Sequence, residues 1–311
     1  MSQEYTPPQI EDDEIDLAEL WRAIWAGKFI IIAITAVFAV SAVFYAKSLP
    51  DVYKASVLLA PAQSKSGGLG GLGGQLGGLA SLAGVNLGGG GSDKTALALE
   101  IIKSRSFIEN FITKYDLLIP LMATKGWDRS NNKLLIDSEL YDVKNKKWLR
   151  ETELPKLPEP SPWEAYQKFS ELLSISQDKT NSMVTISINH YSPVLAKKWL
   201  IALVTEINNF IREQEKTESQ GSINYLKNQL KTTEIASMET VFYQLIEEQT
   251  KNLMLIEVKK EYVLKTIDPA QVPDIKDSPK RALICISGTI LGFIFSVLLV
   301  ISKMLLSKSD D

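Results

Sequence analysis

The chain has 311 residues, enough for one or two domains with a sizeable core, and a formal net charge of −3. Hydrophobic residues make up 45% of it and charged residues 23%. Because the charge is slightly negative and no Lys/Arg-rich stripe stands out, nucleic acid is excluded as the expected partner. The single cysteine, Cys285, cannot form an intrachain disulfide.

Residues 1–28 form an N-terminal segment rich in acidic side chains. Within residues 14–28, apolar side chains recur at helical spacing, and two of them are tryptophans. This pattern predicts an interfacial helix with its tryptophans at the level of the lipid headgroups. A helix that binds a protein partner remains the alternative.

Two apolar segments predict membrane-spanning helices, the first over 29–47 and the second over 282–302. Residues 29–46 and 282–302 carry no charge, and as helices they are rods of roughly 27 and 31 Å, close to the thickness of a hydrocarbon core. The acidic flank and the length of the first segment argue against a cleaved signal peptide. Two spans place both termini on one side, but the Lys/Arg count near the spans does not decide which side.

Residues 48–192 are predicted to form an α/β base that contains a strand over 52–60 and a glycine-rich loop over 67–91. That loop holds 13 of the chain's 18 glycines, too many for a regular element. A plain disordered loop is the expected structure, and transient contact of its leucines with lipid or an apolar partner is the alternative. The residues singled out there are Leu76, Gly77, Gly78, Leu79, Leu82 and Gly84.

The rest of the base alternates between helical and extended patterns. A helix is predicted over 94–115 with Asp93 as its N-cap, and residues 120–160 are expected to be irregular. Ser161-Pro162-Trp163-Glu164 is a capping box that starts a second helix. Residues 183–190 alternate as a strand, which should pair with the strand that follows the first span. His190, the only histidine, is expected to be packed or hydrogen-bonded rather than catalytic.

Residues 193–264 are predicted to form a long helical hairpin. Between Val194 and Leu264 there is no proline and only one glycine, Gly221, so one rod of about 105 Å would be compatible with the sequence. The second span has to return to the membrane, however, so we expect the chain to turn back. The slip in apolar phase places the reversal between Lys216 and Ser237.

Residues 265–281 are predicted to contain a closing strand, which begins near Tyr262, and then a connector punctuated by Pro269, Pro273 and Pro279. A proline-rich connector is stiff and can transmit the orientation of the outer domain to the second span. Simple punctuation of a helix start at Ser278-Pro279 is the alternative. Inside the span, Gly288 and Gly292 form a GxxxG motif, which lets helix backbones approach closely. A short tail follows over 303–311.

The catalytic inventory is poor, so we expect no enzymatic activity and no cofactor. One histidine and one cysteine within a span leave no Cys/His pair, no histidine metal cluster and no readable Ser/His/Asp triad. Gly91-Ser92-Asp93-Lys94-Thr95 lacks the glycine that a phosphate-binding loop needs directly before its lysine.

Several ordered stretches together resemble the chain-length determinant family, the Wzz-type polysaccharide co-polymerases without a kinase domain. They are IDLAELWRAIWAGK, VYKASVLLAP, GGLASLAG, PKLPEPSPWEAYQKF, LLSISQDKTNSMVTISINHYSPVLAKKW with LVTEINNFI, and DPAQVPDIKDSPKRALI.

The resemblance implies an α+β fold in which two transmembrane helices flank a periplasmic domain with a membrane-proximal base and a long helical hairpin. It implies a two-pass protein of the bacterial inner membrane with cytoplasmic termini, assembled into homo-oligomers. The implied function is control of the modal length of O-antigen or a similar lipid-linked glycan, together with a membrane polysaccharide polymerase and in contact with membrane lipids. A two-span adaptor of an export system and an extracytoplasmic sensor are the competing functions.

Overall fold

The structure is a computed structural model that describes residues 21, 24–62, 90–153, 155–233 and 235–309. The predicted interfacial helix over 14–28 and the glycine-rich loop over 67–91 therefore lie largely outside the described residues. The chain divides into a membrane-helix unit, Met1–Pro50 with Ser278–Asp311, and a large unit, Asp51–Asp277.

The membrane-helix unit contains helices α1 (Lys28–Ser48) and α8 (Arg281–Ser309), which pack against each other. Segments Lys28–Ser48 and Arg281–Lys303 have mean hydropathies of 2.5 and 2.6 and are mostly exposed, so both are long and apolar enough to cross a membrane. Helix α8 continues to Ser309 instead of ending before a separate tail at residue 303. Lysine, methionine and leucine in that stretch are good helix formers, which explains the extension.

A four-stranded antiparallel sheet organises the large unit, in the order β6-β7-β1-β8. Its strands are β1 (Tyr53–Pro61), β6 (Leu173–Gln177), β7 (Val184–His190) and β8 (Leu264–Asp268). The predicted pairing of the two central strands is confirmed, with Val57 opposite Ile186. Residues directly opposite each other on neighbouring strands lie on the same face of the sheet, and for Val57 and Ile186 that face is buried.

Helices cover the apolar face of this sheet and close the core. They are α2 (Gly90–Lys103), α3 (Arg105–Lys114), α5 (Pro162–Leu172) and the first part of α6 (Pro193–Thr232). The expected single helix over 94–115 is wrong, because the chain breaks at Ser104, whose side chain caps α3 by accepting from Phe107 N. Asp93 lies inside α2 and not before it. The capping box at Ser161 is confirmed.

The expectation that residues 120–160 are irregular is also wrong. After the short helix α4 (Leu118–Met122), two hairpins form from β2 (Thr124–Asp128) with β3 (Lys133–Ile136) and from β4 (Tyr141–Asp142) with β5 (Lys147–Trp148). Their strands are too short for a readable alternation. They are closed by turns whose chemistry is local.

The same turn closes both hairpins and the β6–β7 connection. In each, an aspartate Oδ1 accepts from the backbone N–H two residues later, its Oδ2 accepts from an asparagine amide, and the next residue has a positive φ. The three sets are Asp128, Asn131 and Asn132 (φ 50°); Asp142, Asn145 and Lys146 (φ 50°); and Asp178, Asn181 and Ser182 (φ 57°).

Helices α6 and α7 (Ala236–Val258) form an antiparallel hairpin. Helix α6 ends at Thr232, so the break lies inside the interval between Lys216 and Ser237. Lys216 Nζ lies 3.2 Å from Glu257 Oε1, so the end of α7 lies beside the middle of α6, as an antiparallel hairpin requires. Helical structure ends at Val258, earlier than the predicted boundary at 264, because Leu264 already belongs to β8.

Asn208 joins the hairpin to the returning strand. It is 3% exposed, and its Oδ1 accepts from Val263 N at 2.8 Å and Leu264 N at 3.0 Å, while its Nδ2 donates to Leu264 O at 3.0 Å. Its Nδ2 also donates to Val204 O of α6 at 3.1 Å, so every polar group of this buried amide side chain is used. The closing strand begins at Leu264, two residues later than predicted.

Candidate functional site

The proline connector leaves the large unit next to the segment that follows α1. Asp277 N donates to Val52 O at 2.9 Å, and Lys276 Nζ lies 2.9 Å from Asp51 Oδ1. Pro269 precedes Ala270, which is buried in the core, and Pro273 is half-buried. The end of the connector is therefore tied to the start of the large unit.

In the membrane-helix unit, Gly288 and Gly292 face the first apolar helix of the same chain. A Cβ atom at Gly288 would lie 2.6 Å from the Cβ of Ala42, and one at Gly292 would lie 2.5 Å from the Cβ of Phe38. Real Cβ atoms do not approach this closely, so any side chain would force α1 and α8 apart. The two glycines thus lie where α1 and α8 pack too closely to admit a side chain.

Arg281, the first residue of α8, adds a polar clamp that the sequence reasoning missed. Its Nε donates to Ala46 O at 3.0 Å and its Nη2 to Leu49 O at 3.3 Å, at the C-terminus of α1. Ala46 O belongs to the last turn of α1, whose carbonyls lack a partner inside the helix, and Leu49 is the residue that follows α1. A cation is favourable at that end of the helix dipole. Lys280-Arg281 is visible in the sequence, but its target is not.

Pro279 does not open the helix, contrary to the reading of Ser278-Pro279 as a helix start. Helix α8 begins at Arg281, two residues later, and the Ser278–Pro279 peptide bond is cis.

His190 is packed and hydrogen-bonded, as the sequence predicted. It is 3% exposed, its Nδ1 accepts from Ser192 N at 3.0 Å, and its Nε2 donates to Pro120 O at 3.2 Å. Burial lowers the pKa of this imidazole, and the hydrogen bond from Nε2 to Pro120 O opposes the shift only in part. A neutral ring held by backbone groups on both nitrogens joins β7 to α4.

A cleft between α3 and the segment before α5 was not anticipated from the sequence. It has a volume of about 660 Å³, and its walls come from residues 109–118 and 155–165. Arg150 shapes the second wall by donating to Pro158 O at 3.2 Å and Leu157 O at 3.3 Å. It also pairs with Glu164 at 2.9 Å. Hydrogen bonds from Arg150 and then from Ser161 N lower the pKa of Glu164 to about 2.

The remaining sequence-predicted site residues, Leu76 to Gly84, lie outside the described part of the chain. Among the residues that the structure does describe, no three His, Cys, Asp or Glu side chains are grouped to hold a metal ion.

Comparison with known proteins gives one family match over the N-terminal third of the chain. The profile of the family described as "Wzz: Chain length determinant protein" matches residues 13–115. The predicted resemblance to the chain length determinant family is confirmed. The matched stretch includes α1, β1, α2 and α3, so the family's signature runs from the first apolar helix into the core of the large unit. No curated protein shows significant sequence similarity to the chain.

Two solved structures that this chain resembles carry related descriptions. A "full-length bacterial polysaccharide co-polymerase" is 14% identical, with a TM-score of 0.44, and the match covers 94% of this chain and 99% of that one. A fragment of WzzB, a polysaccharide co-polymerase from Salmonella Typhimurium, is 13% identical with a TM-score of 0.31, covering 74% of this chain and 100% of that one.

Proposed function

We propose that the protein regulates the modal chain length of O-antigen or of a related lipid-linked surface polysaccharide. It does so as an oligomeric scaffold in the bacterial inner membrane, acting with a separate membrane polymerase. The observation that carries this proposal is the chain length determinant match over residues 13–115, in a chain with two helices that are able to span a membrane.

In this proposal the chain crosses the inner membrane twice, with both termini cytoplasmic and the large unit periplasmic. The protein regulates without making or breaking bonds itself. It needs a membrane anchor beside the polymerase, contact with membrane lipids, and surfaces that meet the lipid-linked glycan.

Exposed apolar side chains on the helical hairpin support homo-oligomer formation. Tyr225, Ile235, Tyr243, Met254 and Val258 are each 60% or more exposed. Isolated exposed apolar residues are ordinary, but several on one hairpin favour burial against another copy of the chain.

The connector and the helix pair couple the large unit to the polymerase. Pro269, Pro273 and Pro279 stiffen the approach to α8, and Gly288 and Gly292 hold α8 against α1. If proline and glycine substitutions at these positions leave both oligomer size and glycan length distribution unchanged, the coupling is wrong.

Deletion of the gene, followed by gel separation of the lipopolysaccharide, tests the function. We expect surface polymer to persist but to lose its modal banding, and the full-length chain to restore the banding. Loss of all surface polymer would instead identify an adaptor of polysaccharide export. An unchanged pattern would contradict length control and favour a sensor.

A further inference from the structure

The cleft between α3 and the segment before α5 has the size and lining of a ligand site. Its volume of about 660 Å³ falls within the range of small-molecule pockets, which are apolar with a few placed polar groups. The aliphatic side chains of Leu118 and Leu157 and the rings of Pro155, Pro160 and Pro162 supply the apolar surface.

The wall formed by residues 155–165 is preformed. Arg150 is 20% exposed at its side chain and ties the carbonyls of Leu157 and Pro158 to the Glu164 carboxylate. The Thr152 hydroxyl donates to Lys156 O at 2.9 Å. A wall held by side-chain hydrogen bonds and rigid prolines loses little conformational entropy when a ligand binds.

The cleft lining carries one lysine and four carboxylates, of which two are paired with arginines. Lys156 Nζ lies 3.8 Å from Glu164 Oε1. Glu109 is paired with Arg105 at 2.6 Å, and Glu164 is paired with Arg150. Asp116 and Glu159, by contrast, are exposed in the cleft lining and have no ion-pair partner among the described residues. A carboxylate only accepts hydrogen bonds, so two unpaired carboxylates suit a ligand rich in hydroxyl or ammonium donors.

We propose that this cleft binds a short segment of a neutral or amino-sugar polysaccharide. Sugar hydroxyls and ammonium groups donate to Asp116 and Glu159, while the C–H faces of the rings pack on Leu118, Leu157 and the prolines. An acidic glycan is disfavoured because the lining holds four carboxylates, Glu109, Asp116, Glu159 and Glu164, against one lysine, Lys156. This inference rests on the proposed function and adds the place and class of the glycan contact.

Ligand-detected NMR on the full-length protein in detergent tests the proposal with three probes: maltotriose, a glucosamine trimer and trigalacturonate. We expect saturation transfer to maltotriose and to the glucosamine trimer, and none to trigalacturonate. Absence of transfer to both of the first two probes would overturn the proposal.

Two variants locate the binding. Thr113 is exposed in the cleft lining, so Thr113→Trp should block the cleft without disturbing the core and should abolish the signal. Asp116→Asn keeps a residue that tolerates the observed φ of 51° but removes the charge, and it should weaken binding of the glucosamine trimer roughly tenfold. Binding unaffected by Thr113→Trp would place the ligand elsewhere and overturn the assignment.

A matched control and a second measurement separate the outcomes. Glu139→Gln alters an exposed carboxylate outside the cleft and should leave binding unchanged, whereas Glu159→Gln should weaken it. If no probe binds to the parent protein and Thr113→Trp changes the oligomer size, the cleft is a contact between copies of the chain, and the glycan proposal is wrong. If gene deletion abolishes modal banding while the cleft binds no probe, only the cleft assignment fails. If deletion leaves the banding intact, the proposed function fails whatever the cleft binds.

Discussion

His190 makes a residue-scale prediction because it is the chain's only histidine. Burial lowers its pKa below the value near 6.5 expected in the unfolded chain. Below that pH the unfolded state binds a proton that the native state does not, so stability rises with pH. The contribution is complete above about pH 6.5 and is lost as the pH falls.

We therefore expect the urea midpoint of the full-length protein in detergent to be lower at pH 5.5 than at pH 7.5. The slope for one proton is at most about 1.4 kcal/mol per pH unit. His190→Gln, whose amide can still donate to Pro120 O, should be less stable at pH 7.5 but should show a flatter pH dependence. An equally steep dependence in the variant would show that another group is responsible.

The repeated aspartate turns predict a graded response to glycine. Lys146 and Asn132 both have a φ of 50°, but asparagine tolerates the left-handed region better than lysine does. Lys146→Gly should thus raise the free energy of unfolding by about 0.5–1 kcal/mol. Asn132→Gly should raise it by less, because it also removes the oxygen that accepts from Trp127 Nε1 at 3.0 Å. Lys144→Gly, at a position without positive φ, is the control and should lower it; equal effects at all three positions would contradict the argument.

At the scale of elements, glycines in two helices should respond in opposite ways to alanine. A Cβ at Gly221 in α6 meets nothing within 4 Å, so Gly221→Ala should stabilise the helix by about 0.5–1 kcal/mol. Gly288→Ala places its Cβ against that of Ala42 and should separate α1 from α8.

Thiol cross-linking can detect that separation. Cysteines replacing Phe38 and Phe295, whose ring centroids are 5.9 Å apart, should be joined by a short bifunctional thiol reagent in a Cys285→Ser background. Gly288→Ala should reduce the yield, whereas Gly221→Ala should not. An undiminished yield with Gly288→Ala would show that the helices do not depend on the glycine contact.

Which elements the sequence could predict depends on how local their signals are. Some signals lie within one continuous segment: the uncharged runs, the alternation of Val184, Ile186 and Ile188, and the capping box at Ser161. The structure contains each of these elements. Strands β2 to β5 were missed because they are held by side-chain turns and positive φ values at non-glycine residues, which leave no hydrophobic period.

The candidate sites also differ in how local their sequence signals are. The GxxxG motif is readable in one helix, but Ala42 and Phe38 opposite it lie about 250 residues away in the sequence. The cleft is harder still, since its walls come from two segments distant in sequence, 109–118 and 155–165, and one wall is held by Arg150. No spacing rule relates those two segments, so its position follows only from the folded chain.

At the scale of the whole molecule, Arg281 links the start of α8 to the C-terminal end of α1. Its guanidinium donates to Ala46 O and Leu49 O, so its loss leaves carbonyls at the end of α1 unpaired. If α1 and α8 transmit the state of the large unit as one pair, Arg281→Gln should broaden the modal glycan distribution and reduce the cross-linking yield.

Lys280→Gln removes the neighbouring, exposed charge and should change neither the glycan distribution nor the cross-linking yield. Arg281→Lys should restore function only in part, because an ammonium group lacks the planar fork that reaches both carbonyls. A normal distribution in Arg281→Gln, with the protein present at its usual level in the membrane, would show that this clamp plays no part in setting glycan length.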